Sequence, residues 1–346
     1  MGLRFQTKPQ SQPQDIILHV RMLDRLRLMQ QEALGVLGVN LLFAAFYLVD
    51  LETEFVASLV ENIGFDRLEI DFLKFSGDAL KHIDNNRLSL ELVRQGLTKS
   101  VMFSPEGEAL LAADTLYGKP VVVQKGTFRP IINTNVQILE KGLEQVQKVT
   151  SKAPLVCFEV SISKFYEKES GVAEEQWDVP DILARVQTIG ALGYHVMVSK
   201  YALYSSLKKH LRRCTSEEII FFIGADSLDK LLDSQVYEEY PGGLLGAMGQ
   251  LFDKNTRVYV YPYKTKALCL TAKTFSPSPQ QQSLYRYFLE NHYLEDILGC
   301  DEVDSSIRSD DVRDMLAQGN KEWEKHVPEP VCQLIKEKKF FGYKEK

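Results

Sequence analysis

The sequence predicts an α/β protein with a mostly parallel sheet. Apolar runs of strand length recur along the chain, and most are separated by segments with the 3.6-residue period of an amphipathic helix. Several of these runs are apolar almost throughout, as expected where helices cover both faces of a parallel sheet. The 346 residues are 45% hydrophobic and 25% charged, so the chain is long enough to bury a sizeable core.

Eight runs are predicted to be strands, at residues 39–48, 67–75, 100–104, 120–126, 155–163, 194–200, 218–225 and 256–264. Five amphipathic helices are predicted among them, at residues 52–64, 86–97, 136–149, 179–193 and 201–213. Eight strands suit a (β/α)8-like barrel, and a doubly wound sheet of two halves fits nearly as well. No internal repeat decides between them.

The predicted organisation has three parts. Residues 1–32 form an N-terminal segment and helix, and residues 33–272 form the α/β core. Residues 273–346 form a C-terminal helical extension packed on that core, introduced by the proline- and glutamine-rich loop at residues 274–283.

Charge and cysteine usage exclude several classes of protein. With 41 basic and 47 acidic residues the net charge is −6, which argues against a broad nucleic-acid surface but permits a local cationic pocket. Five scattered cysteines without a C-x-x-C pair predict reduced thiols and a cytoplasmic location. The apolar residues 33–49 contain two glycines and an asparagine, so we interpret them as a helix end followed by a buried strand. The chain is therefore predicted to be soluble, without a membrane partner.

Several catalytic and cofactor motifs are absent from the sequence. It contains no G-x-x-x-x-G-K-[ST], no G-x-G-x-x-G, no H-E-x-x-H and no G-x-S-x-G. The six histidines show no ligand spacing, so no metal site is predicted. No cofactor is indicated.

The strongest binding signal lies between the strand at 120–126 and the helix that follows it. Lys125 and Arg129 precede Asn133 and Asn135, two residue types that commonly cap helix N-termini. Two cations beside a positive helix end predict a site for a carboxylate or phosphate. An ordinary capped turn is the alternative, and it leaves the two cations unexplained.

Four further residues are candidates for chemistry or binding. Asp71 lies on the strand at 67–75, where an edge strand with a solvated polar face is the preferred explanation. Arg87 lies in the first turn of a predicted helix, where the positive end of the helix dipole repels a cation. A bound anion or a neighbouring carboxylate would offset that repulsion. Glu159 is predicted to be a buried carboxylate, with Lys200 at the end of the next strand as its partner. Asp71, Glu159 and Lys200 are thus candidate acid–base groups.

The stretches "GLRFQTKP", "NNRLSLELVRQGLT", "KGTFRPIINTNVQIL" and "GGLLGAMGQLF" resemble a soluble bacterial family that carries two discordant labels, TonB-dependent receptor and nicotinate-nucleotide adenylyltransferase. The resemblance covers nearly the whole chain, and typical members extend further at the N-terminus. The chain lacks the signal peptide and barrel that the first label implies. The second implies an H-x-G-H motif after the first strand and a downstream I-S-[ST]-T-x-x-R. "FYLVDLETE" contains no histidine and "VSKYALYSS" no arginine.

The sequence therefore predicts an enzyme or enzyme-derived protein that binds a small anionic ligand, a class that includes phosphorylated compounds. The alternative is a non-enzymatic interaction or scaffold protein on the same fold. Nucleotidyl transfer, the activity in the family label, is the third hypothesis.

Overall fold

The computed structural model describes residues 1–64, 66–162, 177–264, 268–297, 299 and 307–344. The strands are β1 (Gly2–Phe5), β2 (Gln14–Met22), β3 (Leu68–Ser76), β4 (Ser100–Phe103), β5 (Ala109–Leu110), β6 (Val121–Gly126), β7 (Leu155–Ser161), β8 (His195–Ser199), β9 (Ile219–Gly224), β10 (Thr256–Tyr261), β11 (Tyr263–Lys264), β12 (Cys269–Leu270) and β13 (Leu294–Asp296). The helices are α1 (Arg27–Tyr47), α2 (Glu52–Leu59), α3 (Asn85–Arg94), α4 (Ala112–Leu116), α5 (Asn133–Val149), α6 (Val179–Gly190), α7 (Tyr204–Cys214), α8 (Leu228–Leu232), α9 (Gly243–Leu251), α10 (Gln282–Glu290), α11 (Ser309–Gln318) and α12 (Glu329–Lys338).

The N-terminal part is a three-stranded antiparallel sheet, β1–β2–β3, covered by α1. The prediction of a strand at 39–48 is wrong, because α1 continues to Tyr47. The helical period decides this: Ala33, Leu37, Leu41 and Ala44 recur at spacings of three and four residues and are all buried. The aromatic, β-prone residues lie on the other side of the same helix.

The large sheet has the order β13-β10-β9-β6-β7-β8-β4-β5. Neighbouring strands from β13 to β8 are parallel, and β4 and β5 continue the sheet in antiparallel pairing. Its described strands leave β13 and β5 as open edges, so the doubly wound alternative is observed and not the barrel. Seven of the eight predicted strands and all five predicted helices are present.

Helices cover both faces of this sheet. Along β6, Val122 faces a core shared with α5, α6, α11 and α12, whereas Val121 and Val123 face a core shared with α7, α9 and α10. From β6 the chain builds β7 and β8 on one side, then crosses to place β9 on the other. Such a reversal leaves a crevice at the carboxyl ends of the two strands, here β6 and β9.

One hydrophobic core spans Phe5 to Leu97 and contains the whole N-terminal sheet, while Leu90 and Val93 of α3 belong to a core of the large sheet. The boundary expected after residue 32 falls inside α1. The segment after residue 272 contributes β13 to the large sheet and α11 and α12 to its core.

The described cysteines differ in oxidation state. Cys157, Cys214 and Cys332 are free and buried. Cys269 is disulfide-bonded, so the prediction that all five thiols are reduced is wrong. Cys300 lies outside the described residues.

Candidate functional site

The carboxyl ends of β6 and β9 border a cleft of about 260 Å³, which we call the switch-point cleft. The residues that matter most to its chemistry are Gln124, Lys125, Thr134, Asn135, Asp226 and Arg308. They come from the ends of two strands and the beginnings of two helices. This is the position at which doubly wound sheets bind their ligands.

Lys125 is held beneath the cleft by three acceptors. Its ammonium donates to Glu159 Oε2 at 2.8 Å, to Ser161 Oγ at 3.0 Å and to the Tyr201 carbonyl at 2.8 Å. The strand register places Lys125 directly opposite Glu159 on β7. Complete burial raises the pKa of Glu159, while the Lys125 ammonium opposes that shift. The two groups form a buried pair whose lysine donors are all engaged within the protein.

Lys200 is not the partner of Glu159 that the sequence suggested. Its ammonium donates to the Arg94 carbonyl at 3.1 Å and lies 5.4 Å from the centre of the Trp177 ring. Glu159 instead accepts from Lys125 and from the Ser199 hydroxyl. The correction follows from the sheet order, since β6 supplies the neighbour on one side of Glu159 and β8 supplies Ser199 on the other.

Two helices begin at the switch-point cleft without a side-chain cap. The N-cap residues are Ile132 for α5 and Arg308 for α11. Isoleucine has no polar side-chain atom and arginine has only donors, so neither can accept from a first-turn amide. The third helical residue instead reaches back: Asn135 Oδ1 accepts from the Ile132 amide at 3.1 Å, and Asp311 Oδ2 from the Arg308 amide at 2.8 Å. Residues from the first turns of both helices line the cleft.

The predicted cap at Asn133 is thus replaced by a different arrangement. Asn133 is the first helical residue; its amide donates to the His326 carbonyl at 2.9 Å and its side chain to the Lys325 carbonyl at 3.0 Å. Asn133 fastens the start of α5 to the C-terminal segment, while Asn135 lies in the cleft wall.

Gln124 is the one buried polar residue in the floor of this cleft that lacks a partner for its amide oxygen among the described residues. The side chain is 1% exposed, and Oε1 has no hydrogen-bond donor within reach. A buried carbonyl oxygen left without a donor is costly. A donor on a bound molecule would satisfy it.

A second cavity of about 620 Å³ adjoins the first, and the two share Thr127 and Asp310. We call it the arginine cavity, because Arg129, Arg185 and Arg313 line it together with Asp181. Arg129 Nε donates to Asp181 Oδ1 at 2.5 Å, and Arg185 Nε donates to Asp181 Oδ2 at 2.7 Å. The Arg129 side chain remains 37% exposed beside open space.

Two tyrosines lie against the switch-point cleft. Tyr261 and Tyr263 line it, whereas Tyr259 on the same strand face is buried against Phe222 at a ring distance of 6.2 Å. The Arg308 guanidinium lies 5.3 Å from the centre of the Tyr263 ring. Burial and the neighbouring Asp226 carboxylate raise the pKa of Tyr261. A Cβ at Gly224 would meet the Asp226 carboxylate and would lie 3.1 Å from the Tyr261 ring, so any larger residue would displace the Asp226 side chain from this position.

Asp71 and Arg87 lie away from these cavities, in the N-terminal part. Asp71 Oδ1 lies 2.5 Å from His19 Nδ1, and Arg87 Nε lies 3.6 Å from Glu52 Oε2. Six of the eight candidate residues thus lie at or beneath the carboxyl edge of the large sheet: Lys125, Arg129, Asn133, Asn135, Glu159 and Lys200.

Sequence reasoning missed Gln124, Arg308 and the Asp181–Arg185 pair. A glutamine inside the run "VVVQKG" was an available signal, since a polar residue in a buried strand needs a partner. Arg308 had no local signal. Within the described ranges no group of three His, Cys, Asp or Glu side chains is placed to hold a metal ion.

Fold and site together define a class: a doubly wound α/β protein with a polar cleft at its switch point. No protein-family model and no curated protein matches the chain. Among solved structures, it is similar to Plasmodium falciparum nicotinic acid mononucleotide adenylyltransferase complexed with APC, at 12% identity and a TM-score of 0.33. That match covers 65% of this chain and 98% of the other. At this TM-score the likeness carries no argument about function.

Proposed function

We propose that the protein binds a small phosphorylated ligand of nucleotide type in the switch-point cleft and the adjoining arginine cavity. The observation that carries the proposal is the convergence of the first turns of α5 and α11 on one cleft. Neither helix has a side-chain cap from its N-cap residue, although the first amide of α5 is taken up by the His326 carbonyl. Helix N-termini present amide donors and a positive dipole end, which suit a phosphate. The unpartnered oxygen of buried Gln124 in the same wall adds an acceptor for a donor on the ligand.

The arginine side chains around the two cavities support a ligand held by bidentate hydrogen bonds from guanidinium groups. Arg308 lies 3.6 Å from Asp226 and Arg313 lies 3.0 Å from Asp310, so each cation is already close to a carboxylate. A phosphate would compete for these guanidinium groups through bidentate hydrogen bonds. Tyr261 and Tyr263 would contact an apolar or ring-shaped part of the ligand.

Nucleotidyl transfer is the second candidate, and one observation favours it. The H-x-G-H motif is expected directly after the strand that leads into the ligand site, and here that strand is β6. Residues 46–54 lie at the end of α1 and the start of α2, so they do not follow a strand. The H-x-G-H position after β6 holds Ile132, Asn133, Thr134 and Asn135. The residues entering α11 keep Ile307, Ser309 and Arg313 at the spacing of the pattern I-S-[ST]-T-x-x-R.

The substitutions within that pattern favour binding without transfer. Ile132 and Asn135 occupy the two histidine positions of the H-x-G-H motif. Neither side chain can act as a general acid or base near neutral pH. None of the described residues that line the switch-point cleft or the arginine cavity is histidine or cysteine. We therefore propose a ligand-binding protein derived from a nucleotide enzyme, with the scaffold role as the rival.

Thermal unfolding with nucleoside mono-, di- and triphosphates and pyridine mononucleotides, each with and without magnesium, tests the proposal. A ligand at one hundred times its Kd stabilises the folded state by about 2.7 kcal/mol. Arg308→Ala should weaken binding, because Arg308 is the cation at the α11 N-terminus. Arg87→Ala is the matched control, since the two side chains are 58% and 59% exposed. No stabilisation by any of these compounds would favour the scaffold role.

A soluble, cytoplasmic location forms part of the proposal. The α/β architecture fits a soluble protein. By length and composition α1 would also cross a membrane, although one of its faces packs on the N-terminal sheet. The disulfide at Cys269 is the observation that opposes a cytoplasmic location.

A further inference from the structure

The outward face of α1 is apolar along most of its length. Leu28, Val39, Leu42, Phe43 and Phe46 are 76%, 65%, 48%, 50% and 56% exposed. Arg27 and Glu32 are the only charged residues in the helix, and both lie in its first two turns. In a stable protein, a contiguous exposed apolar surface of this kind marks an interaction site.

Leu28, Gly35, Val39, Leu42 and Phe46 form a single seam on this face. Residues 28, 35 and 42 are seven apart, and so are residues 39 and 46. This is the spacing at which two helices pack side by side along their length. The opposite side of α1 already contacts the N-terminal sheet through Leu37, Leu41 and Ala44, so the seam is available to a partner.

The seam is complementary to itself in the antiparallel direction. A Cβ added at Gly35 or at Gly38 would meet no atom within 4 Å, so each glycine leaves a hollow. A two-fold axis between residues 40 and 41 pairs position 35 with 46, 38 with 43, and 39 with 42. Each hollow then faces an exposed phenylalanine ring, and Val39 faces Leu42.

Charge at the two ends of α1 favours the same orientation. Exposed Arg25 and Arg27 lie at the start of the helix, where Asp24 and Glu32 are both paired with Arg67. Asp50, Glu52 and Glu54 follow its end, where Asp50 and Glu52 lie near His82 and Arg87. Antiparallel pairing brings the basic end of one helix to the acidic end of the other, whereas parallel pairing would place like charges together. Antiparallel pairing also opposes the two helix dipoles favourably.

We propose that α1 forms a two-fold antiparallel interface with α1 of a second copy of this chain, centred between residues 40 and 41. A membrane surface is a poorer partner, because interfacial helices carry a lysine- and arginine-rich polar face that α1 lacks. Crossing a membrane would require α1 to leave the sheet that buries Leu37 and Leu41.

Light scattering and sedimentation equilibrium of the full chain test the interface. The expected mass is twice 39.4 kDa at micromolar concentration. Val39→Glu and Leu42→Glu should each give a monomer with an unchanged far-UV CD spectrum, because both side chains point into solvent within one chain. Leu245→Glu on α9 is the matched control, at 68% exposure, and should stay dimeric.

Disulfide trapping tests the direction of pairing. A mixture of Gly35→Cys and Phe46→Cys chains should cross-link under mild oxidation. Neither variant should cross-link alone, because identical positions lie eleven residues, or roughly 16 Å along the axis, apart in the antiparallel pair. Cross-linking of each variant with itself would overturn the antiparallel arrangement. A monomer at all concentrations, with or without binding to anionic lipid vesicles, would overturn the interface itself.

Discussion

Two cation–carboxylate clusters lie at the carboxyl edge of the same sheet, and they differ in how far they are sealed. Lys125 is 11% exposed and donates to three protein acceptors, with Glu159 fully buried beside it. Arg129 is 37% exposed, shares Asp181 with Arg185 and borders an open cavity. Similar residues thus have different expected roles: the sealed cluster supports the fold, and the open one is available to a ligand.

The largest expected effect comes from breaking the sealed pair. Glu159→Gln leaves the Lys125 ammonium buried without its counter-charge, which typically destabilises a protein by about 3–5 kcal/mol. Urea unfolding followed by circular dichroism measures this change. The double variant Lys125→Met, Glu159→Leu is the control and should recover most of the loss, since apolar replacement of a buried pair is often neutral. A loss below about 1 kcal/mol in Glu159→Gln would show that water reaches the pair.

His210 extends the comparison to a buried group away from the switch-point cleft and the arginine cavity, at the wall of a separate cavity of about 410 Å³. It is 3% exposed, accepts from Arg213 at 2.9 Å and lies 3.1 Å from the Ser100 hydroxyl. Burial, followed by the charges of Arg213 and Arg21, lowers the pKa of His210 from 6.5 to about 3. Between these two pH values the unfolded chain binds a proton that the folded chain does not. Stability should therefore fall as the pH falls below 6.5, by up to roughly 1.4 kcal/mol per pH unit from this residue.

Chemical denaturation of the wild type and of His210→Gln between pH 6.5 and 4.5 isolates this contribution. The wild type should lose stability more steeply than the variant on acidification. Equal slopes would mean that His210 is protonated in the folded state, and hence that its surroundings are open to water.

The open cluster should respond in binding more than in stability. Arg129→Ala removes one donor but leaves Asp181 paired with Arg185, so no buried charge is orphaned. We expect phosphorylated-ligand binding to weaken by about 1.5–3 kcal/mol, the usual contribution of a hydrogen bond to a charged group. Isothermal titration calorimetry with the ligand found by thermal unfolding measures it. A large loss of stability with unchanged affinity would place Arg129 with the sealed groups.

The smallest expected effect is at Asn133, which lies at the same edge but bonds only to backbone. Asn133→Ala removes the bond to the Lys325 carbonyl and should lower the free energy of unfolding by about 0.5–1.5 kcal/mol. Ligand affinity should stay within twofold of wild type. A tenfold loss of affinity would assign Asn133 to the ligand and weaken the distinction between supporting and binding residues.

The local pattern was sufficient for most secondary structure. Continuous apolar runs predicted β6 and β9, and the 3.6-residue period predicted α5 and α6, because these signals arise from which faces of a segment are buried. The same rule explains the error at 39–48. The aromatic residues there are typical of strands, but Leu37, Leu41 and Ala44 carry the helical period that the N-terminal sheet selects.

The sequence by itself determined the α/β class, the strand–turn–helix unit around residues 121–149, and the need of Glu159 for a partner. Only the tertiary structure decided that the partner is Lys125, that the order in which strands are added reverses between β6 and β9, and that α11 begins beside α5. The physical reason is range. Helix period and apolar runs depend on neighbours within a few residues, whereas strand register and helix convergence depend on packing between segments up to about 180 residues apart, which no local pattern encodes.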